Sequence, residues 1–286
     1  MKKRVIVLVV ALLAISCDMD IQSENNQQIV VEGWIESDGY PVVLLTSTVN
    51  AGNNFKEWKE LKENVIRWAK VTVSDGEKEV VLTGKPNNDY FPPYIYTTAR
   101  IRGVAGKKYT LKVEYSGRTV TAETSIPSPV SLEWIQVKRA ENGIDACIIA
   151  GLKDNPDTKD YYKFFVKERN KDSTFVSAFM GIIDDSLLES GINEIRVQGS
   201  MPITLGTEDN SLSFSDDTFV FIRLSNMDEV SYRYWEDFED IYSLSRLPLF
   251  TINRPIRSNI NGGLGYWAGY GSTEYAVSVV DSLRVK

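Results

Sequence analysis

The chain has 286 residues, of which 32 are basic and 39 acidic, giving a net charge of −7; it contains no histidine and two cysteines. An acidic balance argues against nucleic-acid binding and against electrostatic adsorption to anionic lipid. The missing histidine removes the commonest general base, the Ser-His-Asp and Cys-His arrangements, and every histidine-based zinc or iron site.

The chain opens with the basic residues Lys2, Lys3 and Arg4, followed by an apolar run from Val5 to Ile15 and the small-residue approach Ala14-Ile15-Ser16 to Cys17. This order predicts a secretory signal peptide over residues 1–16. As a helix the apolar run would rise only about 16 Å, against a hydrocarbon core of about 30 Å. Cys17 stands where a bacterial lipobox, which this segment resembles, places the cysteine that is acylated and becomes the first mature residue. Ala14 is a departure, since Leu is usual there and Leu13 comes one step early. An ordinary signal peptide cut elsewhere, or a short uncleaved anchor, is the alternative.

Cleavage before Cys17 leaves 29 basic residues against 39 acidic, a net charge of −10. No second segment is long and apolar enough to cross a bilayer, so attachment to outer-membrane lipid is expected through acyl chains at Cys17. With Cys17 lipidated, Cys147 is the only free thiol and no intramolecular disulfide can form. Cys147 sits in an apolar run, Ala146 to Ile149, and reads as a buried small hydrophobe rather than a nucleophile.

Residues 17–28 are predicted to be the acylated cysteine and a flexible tether that is polar, acidic and nearly free of large apolar residues. Asp18 and Asp20 resemble the export signal that moves some Bacteroidota lipoproteins to the cell surface. A solvated leash explains them equally well, so surface and periplasmic faces both stay open.

A β-sandwich domain is predicted over 29–125. Ile29 to Ile35 and Pro41 to Thr48 flank an Asp38-Gly39 turn. Phe55 to Ala69 has helical spacing at Phe55, Trp58, Leu61 and Val65, although its end already alternates like a strand. Asp75-Gly76 is a type I′ hairpin signal, and Tyr109, Leu111, Val113 and Tyr115 alternate with polar residues before a turn at Ser116-Gly117. Ile126-Pro127-Ser128-Pro129 marks a stiff boundary.

Residues 126–286 are predicted to form a second β-rich domain. Its strands fall at Leu132 to Val137, Ile144 to Leu152, Tyr161 to Lys167, Thr174 to Ile183, Glu194 to Val197 and Thr218 to Leu224. One long amphipathic helix follows, near 226–244, with Ser225-Asn226 as cap. Met227, Val230, Tyr234, Phe238, Ile241 and Tyr242 share its apolar stripe, while Glu236, Asp237, Glu239 and Asp240 mostly face away. The stretch GGLGYWAGYG, Gly262 to Gly271, precedes a last strand from Glu274 to Val280.

This order of elements resembles the family of Bacteroidota lipoproteins catalogued as domain of unknown function 4249. The matching features are the lipobox cysteine, VVEGWI, VVLLTST, the AKVTVSDG hairpin, GKKYTLKV, the TSIPSPVSLEWI junction, the DNP…YYKF segment and SNINGGLGYWAGYG. They span almost the whole mature chain, although each is short. The resemblance implies an outer-membrane lipoprotein, often encoded beside a TonB-dependent transporter, and supplies no catalytic or ligand residues.

Gly263 to Ala268 satisfies a loose dinucleotide pattern, but no βαβ unit surrounds it and too little chain follows. Its glycines fit better as close approaches between strands. Two aromatic clusters are candidate ligand contacts: Tyr90, Phe91, Tyr94 and Tyr96, interleaved with prolines, and Tyr266, Trp267 and Tyr270. Ring faces could stack on a sugar or grip a peptide, and core packing is the competing use. Asp154/Asp157, Asp184/Asp185 and Asp216/Asp217 would serve hydrolysis only at a fixed separation in a cleft, and solvated turns are the default. Ser173, Ser186 and Ser282 follow Asp in triplets resembling a Bacteroidota O-glycosylation signal.

The expected fold is therefore mainly β: an N-terminal Ig-like or transthyretin-like sandwich, then a second β-rich domain with one long helix. No catalytic residue, metal or cofactor is expected. The expected function is a lipid-anchored binding or accessory protein serving a TonB-dependent transporter in glycan or peptide capture. A structural or adhesive surface protein and a carboxylate-dependent hydrolase are the alternatives.

Overall fold

A computed structural model describes residues 27–48, 64–139, 146–200, 213–214, 218–245, 255–279 and 284–285. The expectations placed on Cys17, on most of the tether, on Phe55, Trp58 and Leu61, on Asp216/Asp217 and on Ser282 lie outside them.

The described chain is mainly β. Its strands are β1 (Ile29–Glu36), β2 (Val42–Ser47), β3 (Lys70–Ser74), β4 (Glu79–Val81), β5 (Thr83–Pro86), β6 (Tyr94–Thr97), β7 (Lys108–Tyr115) and β8 (Arg118–Ser125). They continue with β9 (Trp134–Arg139), β10 (Ala146–Lys153), β11 (Tyr161–Glu168), β12 (Val176–Asp184), β13 (Ile192–Val197), β14 (Thr218–Met227), β15 (Leu264–Val279) and β16 (Arg284–Val285). Among the described residues one α-helix, α1, spans Glu229–Ser245. Val65, expected on a helix, instead bridges Thr46 of β2.

Eight strands form one continuous sheet in the order β12-β11-β14-β15-β1-β2-β6-β5. Two four-stranded sheets, β4-β3-β7-β8 and β13-β10-β9-β16, cover the two halves of one of its faces. Alternation decides which side chains they meet, because successive residues point to opposite faces. Ile29, Val31 and Ile35 of β1 join Val43 and Leu45, Val71 and Val73, and Leu111 and Val113 in the first core. Tyr162, Phe164 and Val166 of β11 join Val220, Ile222 and Leu224 of β14 and Ile148 and Ala150 of β10 in the second.

β15 joins the two halves. Its first part runs parallel to β1, with Val30 opposite Leu264 and Glu36 opposite Tyr270. Its second part runs antiparallel to β14, from Asn226↔Gly271 to Thr218↔Val279. Trp267 plugs the first core at 0% exposure and donates its indole N–H to the Tyr109 carbonyl at 3.1 Å. Glycine is required here by space: a Cβ on Gly269 would lie 2.3 Å from the Ser125 carbonyl oxygen, and Gly265, at φ +103°, faces the Val31 carbonyl.

Two local expectations shift. Positive φ at both Ser116 (49°) and Gly117 (75°) makes the β7–β8 turn the I′ type. At β3–β4 only Gly76 has positive φ, and the turn centres on Gly76-Glu77, one residue later than the sequence signal. Asp75 sits outside that centre because its carboxylate accepts the N–H groups of Glu77 (3.1 Å) and Lys78 (2.8 Å). The helix cap likewise moves. Ser225 and Asn226 are still paired in β14, and Asp228 caps α1 by accepting the Ser231 N–H at 2.8 Å.

Candidate functional site

On the face of the long sheet opposite the two cores, even-numbered residues of β1 and β15 point upward. Glu32, Trp34 and Glu36 stand beside Tyr266, Ala268 and Tyr270, their register partners. α1 lies across part of this surface, burying Tyr232 and Trp235 against Tyr161, Met227, Tyr266, Ala268 and Tyr270. Its packed face differs from the expected stripe: Val230 is 54% exposed, while Asp237 and Glu239 are buried. The two acids turn inward because each meets a cation. Asp237 accepts the Arg257 backbone N–H at 2.8 Å and Nε at 2.6 Å, and Glu239 takes the fully buried Lys163 ammonium at 3.0 Å.

Beside the helix the surface opens into a cavity of about 550 Å³. Its floor is Glu32, Trp34, Glu36 and Leu44 with Tyr266 and Tyr270. One wall is Trp235 and Phe238 of α1, another Phe165, Arg223 and the Thr174–Ser177 segment entering β12, and the last the Asp89-Tyr90-Phe91 loop. Nine aromatic rings line it. They brace each other: Phe165 meets Trp235 at 5.8 Å and Tyr270 at 5.6 Å edge-on, and Tyr234, behind them, meets Tyr266 at 4.4 Å with the rings tilted. The Trp235 indole N–H donates to the Tyr270 hydroxyl at 2.8 Å, which fixes both rings.

The two floor carboxylates differ. Glu36 is ion-paired with Arg223, whose other nitrogens reach Glu274 at 3.0 and 2.7 Å and whose guanidinium lies 3.8 Å from the centre of the Phe175 ring, although burial still raises the Glu36 pKa. Glu32 has one described partner, the Tyr266 hydroxyl, which donates to it at 3.3 Å. Its side chain is exposed, and the surface it keeps faces the cavity, whose walls crowd protein around the carboxylate. That enclosure raises its carboxyl pKa, and the Tyr266 hydrogen bond offsets only part of the effect. Burial and the Glu32 charge push the Tyr266 phenol well above its ordinary value, so it stays a donor.

The candidate aromatics therefore separate. Tyr90, Phe91, Tyr266 and Tyr270, from the two distant clusters, meet in one cavity. Trp267 and Tyr96 are core residues, at 0% and 2% exposure, and leave almost no surface for a ligand. Tyr96 donates its hydroxyl to the Ile66 carbonyl. Tyr94 lies in a shallower depression on the far edge, beside the 89% exposed Trp68. Glu32, Trp34, Arg223 and Trp235 escaped sequence reasoning. Glu32 and Trp34 occupy the positions of β1 that alternation assigns to solvent, and the strand pattern cannot tell solvent from a covered hollow.

The carboxylate pairs form no comparable site. Lys159 bridges Asp184 and Asp185. Burial acts to raise the Asp184 pKa, but Lys159 and the Ser186 hydroxyl and N–H outweigh it and bring it down to about 2. Asp157 is exposed, and Asp154, raised by burial and the Asp185 charge, contacts the Tyr162 hydroxyl at 3.5 Å. Among the described residues no group of three or more acids and cysteines is arranged to hold a metal ion. Cys147 is buried in β10 and its sulfur accepts from Arg196 at 3.2 Å. Ser173 and Ser186 are exposed, the latter donating to Asp184 at 2.5 Å. Among the described residues no helix is long and apolar enough to cross a membrane.

A family model described as domain of unknown function 4249 matches residues 16–276. No curated protein matches the chain.

Proposed function

Since the chain belongs to the domain of unknown function 4249 family, we propose that it is a lipid-anchored outer-membrane binding protein that captures a glycan or peptide nutrient for a TonB-dependent transporter. The observation that carries the binding role is the cavity between β1, β15 and α1, whose volume and ring-lined walls suit a small organic ligand. Rigid rings offer contact area at low conformational cost, and the few polar groups among them orient the bound molecule. The anchor rests on the Cys17 segment: an acidic body does not adhere to membranes unaided, so acyl chains do the localising.

Two measurements test this. Titration of glycans and short peptides should give a saturable change in tryptophan fluorescence, because Trp34 and Trp235 line the cavity. Enlarging an inner wall with Ser177→Trp should abolish that change; an unaltered titration would exclude the cavity as the binding site. Cys17→Ala should move the protein from the membrane to the soluble fraction, and gentle solubilisation of the native protein should retain a TonB-dependent transporter.

A further inference from the structure

Within the reading of the cavity as a capture site, we propose that its ligand carries an ammonium group, seated against Glu32 and enclosed by aromatic rings. The shared chemistry is a protonated amine on an apolar body, supplied by a basic peptide or a free aromatic amine, in place of a neutral glycan.

The charge pattern points this way. Arg223 is the one cation lining the cavity among the described residues, and it is committed to Glu36, Glu274 and the Phe175 face. Lys163 lies nearby under α1, 4.3 Å from the Trp235 ring centre, but Glu239 holds it and it has no exposed surface. Asp89 adds another acid to the lining, at an exposed position. Among the described residues Glu32 thus has no cation beside it at the floor of an aromatic-walled hollow, and its one donor is the neutral Tyr266 hydroxyl. The surface that Glu32 keeps opens into the cavity, where its charge has no counter-ion, and an incoming ammonium would supply that charge and up to three donors. Tyr266, Trp235 and Phe238 would face its flanks, and ring faces attract cations most where water is excluded. A neutral sugar would satisfy the stacking but leave Glu32 uncompensated.

The test uses detergent-solubilised mature protein and matched probes: 2-phenylethylamine, its neutral counterpart 2-phenylethanol, an N-acetylated lysyl-phenylalanine amide, and a neutral oligosaccharide. Wild type should bind the amine about tenfold or more tighter than the alcohol, the gain expected of a charge-assisted contact. In Glu32→Gln that preference should collapse to near unity while alcohol binding persists, and an unchanged melting temperature or a higher one would show the variant folded. Tighter binding of the lysyl peptide than of the free amine identifies a peptide as the source; the reverse identifies a small amine. Equal binding of amine and alcohol by wild type, or a preference surviving in Glu32→Gln, would overturn the ammonium inference. Saturable binding of the oligosaccharide with neither amine bound would also overturn it while leaving cavity capture intact. No saturable signal from any probe would overturn both.

Discussion

At the scale of single residues, the informative side chains are charged groups whose surroundings disagree with their sequence context. Glu32 and Asp184 are both acids on β-strands, yet burial raises the pKa of one and Lys159 lowers that of the other to about 2. The signs follow from proton linkage. For Glu32 the folded state holds its proton more tightly than the unfolded chain, so stability is lost as pH rises from about 4.3 through the raised folded value. Glu32→Gln should therefore raise the melting temperature at pH 7 and leave it nearly unchanged at pH 3.5. For Asp184 the contribution is present above about 3.9 and disappears as pH falls toward 2, so Asp184→Asn should destabilise at pH 7 and converge on wild type at pH 2. Thermal unfolding of both variants across pH checks the two signs together. Lys163 and Glu239 give a third case, a buried pair in which removing one partner strands the other charge. Glu239→Gln should cost about 3 kcal/mol, whereas Lys163→Met with Glu239→Leu should recover most of it, as urea denaturation of the cycle would show. None of this was legible in the sequence, where Glu239 belongs to a run of acids that reads as a solvated face. The part of the candidate site that was legible, Tyr90, Phe91, Tyr266 and Tyr270, announced itself by local density of aromatic residues. Glu32 did not, because alternation fixes the side of a sheet a residue points to and leaves open what covers that side.

At the scale of elements, strand phase was the dependable signal, and it placed Tyr109, Leu111 and Val113 correctly in a core at 0–1% exposure. Junctions were harder, because a helix start depends on which residues the sheet has already claimed. Asp228 shows this. Its carboxylate takes the Ser231 N–H, and on the other side the Thr124 hydroxyl at 3.0 Å and the Ser125 N–H at 3.5 Å. One residue thus caps α1 and pins it to the end of β8, so it sets the wall of the cavity. Asp228→Ala should lower stability by about 1–2 kcal/mol and weaken ligand binding, whereas Asp228→Asn should retain most of the cap. Chemical denaturation beside a binding titration would separate the two effects. If stability falls while affinity holds, the cap does not position the cavity wall.

At the scale of the molecule, the sequence boundary at Ile126 to Pro129 and the continuous sheet have to be taken together. The chain leaves the first sandwich through an extended segment and comes back to it much later, when β15 inserts beside β1. Parallel pairing of β1 with β15 is non-local by construction: Val31 meets Gly265 and Trp34 meets Ala268. Such contacts lie beyond any local pattern, so the composition of Gly262 to Gly271 suggested close approach without revealing the partner. Their consequence is that residues 27–125 alone lack both a sheet neighbour for β1 and the Trp267 plug of their core. Losing a fully buried aromatic side chain costs about 3–5 kcal/mol, a large share of the stability of a domain this small, and an exposed apolar edge on β1 would remain. A fragment ending at Ser125 should therefore be unfolded or aggregated by circular dichroism and size-exclusion chromatography. Adding a peptide of residues 258–279 in trans should restore β structure, through the same strand addition that the intact chain makes internally. A fragment that folds cooperatively without the peptide would show that β15 lends the first sandwich no essential support. The cavity would then owe its floor to two independent bodies, and ligand binding should vary with the linkage between them. With the fold as found, one strand carries Tyr266 and Tyr270 into the cavity and Trp267 into the core, so binding and folding are expected to fail together when β15 is displaced. Gly269→Ala tests this within the full chain, since its Cβ would meet the Ser125 carbonyl oxygen at 2.3 Å. It should destabilise by about 1–3 kcal/mol and weaken ligand binding in parallel.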